Sequence, residues 1–342
     1  MEIPFVKTSP EFELEFKEAL GFVDVDFPYI KLRPDLNSAA KELIKIIGKI
    51  TYDALIANFK LNKEGAQGAS APFRNEDLNE VFQSVIASYA YMLFAPANDI
   101  AHTPNGRRMR SSEDEKTPWE WMLTLSNDNL QKRAFKAIDA LLDYMDAEFA
   151  TWKASDQFKL THKLFVRTLE DFSAAHVLDS RLLLIKLVPG LNQAEQREII
   201  PRISSDLYNS LKEKVIYKAS GSTGDTTKTI TTDEALLIEL IKEACAYYAL
   251  SWALPRLQVT MFPEGILQSV RGDRTTVKGR MVPVVPVIDQ TSKLFKEDCN
   301  IALLNVENQI KAMFPQEAVD LSEEETNEDL YGFSEDDKFI ST

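Results

Sequence analysis

Cysteine, histidine and glycine are all scarce in this chain, and each shortage removes a class of function. Its 342 residues include two cysteines, three histidines and 12 glycines. Cys245 and Cys299 each lie inside an apolar helical pattern, which reads as two buried, reduced thiols. Two cysteines make no zinc site without histidines at ligand spacing, and His102, His162 and His176 are too far apart to supply them. The glycines offer no phosphate cradle: Gly221-Ser222-Thr223-Gly224, followed by Lys228-Thr229, lacks both the Gly-Lys-[Ser/Thr] junction and a preceding strand. Asp24 and Asp26 lack a third and fourth oxygen ligand at loop spacing. With no catalytic signature, the expectation is a protein that is not an enzyme and carries no metal or other cofactor. An apolar run of the ~20 residues a membrane span needs is also missing, as is a basic n-region with an apolar core behind it. A cytoplasmic protein without a membrane partner is expected.

Positive charge is short as well. The formal net charge is −14, with ten acids against Lys338 alone between Glu317 and Thr342, so the body stands near −5. Such a body has no basic face for nucleic acid, and sequence-specific binding to it is not expected.

What the chain does contain, it writes twice. Residues 30–39 read Ile-Lys-Leu-Arg-Pro-Asp-Leu-Asn-Ser-Ala, and residues 185–194 read Ile-Lys-Leu-Val-Pro-Gly-Leu-Asn-Gln-Ala. Phe5-Val6-Lys7-Thr8 through Phe12 precedes the first copy, and Phe165-Val166-Arg167-Thr168 through Phe172 the second. Tyr52 and Leu55 follow the first, Tyr208 and Leu211 the second. Order and spacing hold, which predicts a tandem duplication with a period of roughly 155–160 residues, the size of a domain. The expected architecture is mainly α: repeat unit 1 over 1–155, repeat unit 2 over 160–315, and an acidic, disordered tail over 316–342.

Within each unit the apolar periodicity predicts the same series of helices. Capping boxes at Thr8–Glu11 and Thr168–Asp171 open short first helices, the second box the weaker because Asp reaches back less well than Glu. The alternation at Phe22–Phe27 suggests a brief strand or extended link. Core helices are expected from Asn37 to about Phe59 and from Asn192 onward, with a kink or restart at Pro201. Nearly all-apolar helices follow over Asp77–Ala95 and Asp233–Leu254. A shared Pro-x-Gly turn, at Pro104 and Pro263, leads into charged, β-forming arms. Helices at Leu130–Trp152 and about Ser292–Met313 close the units, with Phe135 and Phe295 matched.

The arms hold the candidate interaction residues. Arg107, Arg108 and Arg110 form a short basic cluster, read as a solvated loop or as a contact with an acidic surface. Arg271, Arg274 and Arg280 lie in the second arm. Trp119 and Trp121 can anchor the first arm on its own domain or on a neighbouring subunit, where tryptophan is enriched among binding hot spots.

The unit Phe-Val-[Lys/Arg]-Thr-x-x-[Glu/Asp]-Phe, then Pro-x-Leu-Asn-x-Ala, then an Ile-rich helix ending near Tyr-x-x-Leu, resembles a family of tailed-phage and prophage proteins of gut Bacteroidota. The helix Ala244-Cys245-Ala246-Tyr247-Tyr248-Ala249-Leu250 and the following Pro263-Glu264-Gly265 share in that resemblance, which covers most of residues 5–313. Pro201 and the Thr-rich loop depart from the pattern. The resemblance implies a virion structural protein, a neck or head–tail connector subunit. It would assemble as a homo-oligomer with portal, tail or neck components, in the host cytoplasm and then in the virion. No functional residue carries over. The alternatives are a cytoplasmic adaptor that recruits a partner through the acidic tail and, behind it, an enzyme with a site between the units.

Overall fold

The computed structural model describes residues 1–64, 75–103, 106–109, 119–173, 175–219, 225–257, 259–262, 265–268 and 285–315. They are mainly α-helical. In the first half, α1 (Glu11–Leu20) leads to α2 (Tyr29–Ile47), α3 (Lys49–Glu64) and α4 (Glu76–Asn98). Strands β1 (Ile100–Thr103) and β2 (Gly106–Met109) pair antiparallel, with His102 opposite Arg107. The 29-residue α5 (Glu120–Glu148) follows, then the short α6 (Ala150–Lys153) and α7 (Asp156–His162). In the second half, α8 (Leu169–Phe172) leads to α9 (Arg181–Ala194), a π-helical turn at Glu195–Ile199, α10 (Ile200–Ile203), α11 (Ser205–Ala219) and α12 (Thr232–Ala253). Strands β3 (Val259–Phe262) and β4 (Gly265–Gln268) pair antiparallel, and α13 (Val285–Met313), again 29 residues, ends the described chain.

Buried positions give the register between the halves. Leu32, Leu36 and Ala39 of α2 match Leu187, Leu191 and Ala194 of α9, all buried. After Ala194 the register slips by one, so that Leu43 and Ile47 match Ile199 and Ile203. The π turn lies at that slip and absorbs the extra residue by widening one turn. It also supplies the interruption expected at Pro201, because a proline ring crowds the carbonyl four residues earlier, here Arg197 inside the widened turn. In the long helices, Ala134, Ile138, Leu141, Leu142 and Met145 match Phe295, Cys299, Ala302, Leu303 and Val306. This moves the expected pairing of Phe135 with Phe295 by one residue.

Several expected boundaries move too. Helices α2 and α9 begin well before Asn37 and Asn192 and carry Pro34 and Pro189 inside them. The carbonyl that Pro34 leaves without a donor belongs to Ile30, an exposed residue in the first turn, where water can serve it. The single helix expected over 37–59 breaks at Gly48 (φ 82°, ψ 157°), and its counterpart breaks at Ser204 (φ 67°, ψ 154°). Helix α1 starts after Pro10 with no side-chain cap, whereas Thr168 and Asp171 form both bonds of a capping box, the reverse of the expected ranking. No strand occurs at Phe22–Phe27. The acidic tail over 316–342 and the segment 269–284 lie outside the described residues.

Each half has its own core. The first gathers Phe12, Phe16, Leu32, Leu36, Phe82, Ile86, Leu141 and Trp152, with Phe12 and Phe16 stacked at 5.6 Å. The second gathers Phe165, Phe172, Leu187, Leu191, Leu237, Ile241, Cys245 and Val306. Gly190 brings α9 close against α12: a Cβ there would lie 3.0 Å from Cε3 of Trp252 and 3.2 Å from the Ala249 Cα.

Candidate interaction surfaces

Three places hold residues whose arrangement needs an explanation beyond a core. The first is the start of α5. Trp119 caps the helix in an extended conformation and stands 71% exposed; Trp121, Met122 and Leu125 in the first turns are 41%, 43% and 52% exposed. A helix residue three or four places on lies on the same face, so Trp121 and Leu125 line up. With Phe22 they border a groove of about 360 Å³. The Arg133 guanidinium lies 4.3 Å over the Phe22 ring, a cation–π contact that holds the groove's wall. The structure therefore brings Trp121 to Phe22, and leaves Trp119 out in solvent. Arg107 and Arg108 lie on β2, opposite His102 and Ala101. Arg110, Arg271, Arg274 and Arg280 fall outside the described residues.

The second place is the junction between the halves. Arg181 donates to Asp146 at 3.1 Å, and the Leu182 amide donates to Asp139 at 2.7 Å, so acids on α5 take the free donors at the start of α9. The Trp152 indole donates to the same Asp146 at 2.6 Å. Burial first, then the neighbouring Asp139 and Asp146 charges, raise the Asp143 pKa, with Arg181 acting against them. Leu182 enters the first core, and Ile185 packs against it. Beside this contact runs a largely apolar groove of about 530 Å³, lined by Ile46, Tyr89, Phe135, Trp152, Leu160 and Ile185.

The third is a buried ionic network in the second half. Lys212 pairs with Glu195 at 2.7 Å while the two side chains are 10% and 2% exposed. Glu195 also accepts from the Tyr208 hydroxyl at 2.7 Å and the Phe165 amide at 2.6 Å, and Lys212 donates to the Lys163 carbonyl. Burial lowers the Lys212 pKa despite Glu195 beside it, and burial raises Tyr208 far above the phenol range. The register places Glu195 at the position of Ala40 and Lys212 at that of Ile56. Aligning the buried positions of the two halves exposes this contrast between an apolar pair and an ionic one; periodicity alone hides it, because Lys212 lies among the positions of an ordinary solvated helix face.

The thiols offer little reactivity. Both cysteines are free and buried; burial raises Cys245 well above its ordinary value and pushes Cys299 up to about 12. His162 stacks on Phe158 with ring centroids 3.5 Å apart, and burial lowers its pKa. Among the described residues no group of three or more His, Cys, Asp or Glu is placed to hold a metal ion, and no helix is long and apolar enough to cross a membrane.

Comparison with curated proteins finds no match, and none is found among solved structures. A family model does match, over residues 43–161 and 199–282, more than half of the chain, and its two stretches begin at the corresponding positions Leu43 and Ile199. The chain belongs to DUF6712, a family of unknown function.

Proposed function

We propose that this protein is a phage or prophage virion structural protein, a neck or head–tail connector subunit that acts by fitting against other proteins. The observation that carries the assembly part is the apolar surface at the start of α5. Trp121, Met122, Leu125 and Phe22 line one groove and lie exposed together, with Trp119 exposed at the helix cap two residues before Trp121, and contiguous patches of this kind mark protein–protein contacts. Tryptophan beside an arginine is the composition of a binding hot spot. The virion part rests on the resemblance of the repeated Phe-Val-x-Thr and Pro-x-Leu-Asn-x-Ala patterns to tailed-phage proteins. We read the recurring helix order as the trace of a tandem duplication, which would supply the two unlike faces a ring needs.

The test is capture of purified portal, neck and tail proteins of the same phage by the full chain and by Trp119→Ala/Trp121→Ala. The proposal expects capture by the parent and a loss of at least about 2 kcal/mol of binding in the variant, with an unchanged melting curve. Capture of no virion protein by the parent would contradict the virion reading. Equal capture by both chains would remove the patch from it.

A further inference from the structure

The first half carries a cavity that neither its core nor the α5 groove uses. It holds about 740 Å³ between α1, the end of α3 and the start of α4, a size typical of small-molecule sites. Glu15 and Glu18 stand three residues apart on α1. Asn79, Glu80 and Gln83 lie three, four and seven residues after Glu76, which puts all four on one face of α4. The lining therefore sets four carboxylates, Glu15, Glu18, Glu76 and Glu80, against the single ammonium of Lys63.

Acids alone would make an ordinary solvated face. This wall also holds two amide oxygens that no donor reaches. Asn62 and Asn79 both line the cavity, and the Oδ1 of each is buried without a hydrogen-bond partner. Asn79 as a whole is 9% exposed. Neither amide can turn round to repair this, because its nitrogen is already engaged. Asn62 Nδ2 donates to the Asn75 carbonyl at 3.1 Å, and Asn79 Nδ2 donates to Gln83 Oε1 at 3.4 Å. Gln83 is fixed in turn by its Nε2, which donates to the Pro4 carbonyl at 2.8 Å. A buried acceptor left unpaired is costly, so the wall lacks N–H donors that a bound molecule can bring.

The acids say what carries those donors. Lys63 shows the chemistry within the chain: its ammonium pairs with Glu15, which is 11% exposed and also accepts from the Val6 amide at 2.9 Å. Glu18 and Glu80 have no partner among the described residues. Among those residues, too, no three acids converge as the ligands of a metal ion would. Carboxylates spread along a wall suit positive charges spaced along a chain rather than one compact ion.

We propose that this cavity binds an aliphatic polyamine, with its ammonium groups at Glu18 and Glu80 and its N–H donors serving the oxygens of Asn62 and Asn79. The site is separate from the α5 surface, and it stands or falls without the assembly reading.

Calorimetric titration of the full chain with spermidine at physiological ionic strength tests it. A chain of net charge −14 gathers polyamines loosely by charge alone, so a variant matched in charge is the reference. Glu213→Gln/Glu297→Gln serves, since both acids are exposed and lie in the second half. The expected result is one saturable site in the parent and in this reference. Its Kd should rise at least about tenfold in Glu18→Gln/Glu80→Gln and in Asn79→Leu. Glu18 and Glu80 are exposed, so their variant folds as the parent does and decides the matter even if Asn79→Leu does not fold. No saturable site in the parent, or equal weakening in the two charge variants, would overturn the proposal. Butylamine or magnesium binding as tightly as spermidine would also overturn it, since one charge would then suffice. So would binding that appears only with Arg74→Ala, which would mean that the chain's own arginine fills the cavity.

Discussion

Glu195 and Lys212 occupy positions that the first half fills with Ala40 and Ile56, so the molecule contains its own control for what a buried ion pair contributes. Removing one partner leaves the other charged and buried, and Glu195→Ala alone should destabilise the protein by about 3–5 kcal/mol. Glu195→Ala with Lys212→Ile, the first half's pair, should return within about 1 kcal/mol of the parent or exceed it, as apolar replacements of buried pairs do. Urea unfolding of the three chains measures this; equal losses in the single and double variants would contradict it. Asp171 gives a second test at this scale. Burial would raise its pKa, but Lys242 at 2.8 Å and the amides of Arg167 and Thr168 hold it below the usual value, while Lys242 is raised by Asp171 and Glu239 against its own burial. A depressed carboxylate stabilises fully above its unfolded value of ~4 and loses that as pH falls through its folded pKa; a raised ammonium stabilises fully below ~10.5 and loses that as pH rises through its folded pKa. Asp171→Asn should therefore cost stability between those limits, and its deficit should shrink as pH falls below ~4. A deficit that is the same at pH 3 and pH 7 would refute the assignment. Of these partners only the Thr168–Asp171 capping box was legible in the sequence; the lysines were not, because nothing in a periodic pattern tells a buried lysine from a solvated one.

At the scale of elements, what the sequence made legible was what periodicity alone decides. The helices read as Asp77–Ala95 and Asp233–Leu254 are α4 and α12 with small shifts, because each is apolar over most of its surface and begins at a side-chain cap, Asn75 or Thr231. Helices α2 and α9 start earlier than expected, because Asn37 and Asn192 look like caps and Pro34 and Pro189 like stops. Pro34 falls near an exposed helix start, where proline is tolerated, whereas Pro189 lies in the interior of α9 and nothing in the structure explains its tolerance there. The break at Gly48 was hidden by an unbroken apolar stripe on both sides. Its counterpart has a cost: Ser204 sits at φ 67° and ψ 154°, a region only glycine visits freely, and such strain is worth ~1–3 kcal/mol. Ser204 also offers its hydroxyl to the Leu207 amide, at a long 3.5 Å, and losing that cap for glycine costs only a few tenths. Ser204→Gly should thus stabilise the protein by about 1 kcal/mol, read as a higher urea midpoint at constant slope; a lower midpoint would mean that the cap outweighs the strain. Gly190→Ala should act the other way, since the added carbon meets Trp252 and the Ala249 backbone, and the gain in helix propensity of ~1 kcal/mol should not offset separating α9 from α12.

For the whole molecule, the two halves present a similar order of helices with unlike outer surfaces. The core positions correspond; Trp119, Trp121 and Ile30 on the first half, and Leu294, Ile301 and Leu304 on the second, are exposed. The mainly α-helical fold was legible from apolar periodicity, whereas the exposed surfaces were not, since a leucine on a helix reads as core until its register is known. The claim beneath the proposed function is that these surfaces exist to be covered by other proteins. Sedimentation velocity of the purified full chain over a range of concentrations addresses it most directly. The account predicts species that grow from 38.7 kDa through its integer multiples as concentration rises; a single 38.7 kDa species at every concentration, unchanged by added portal or tail proteins, would contradict it.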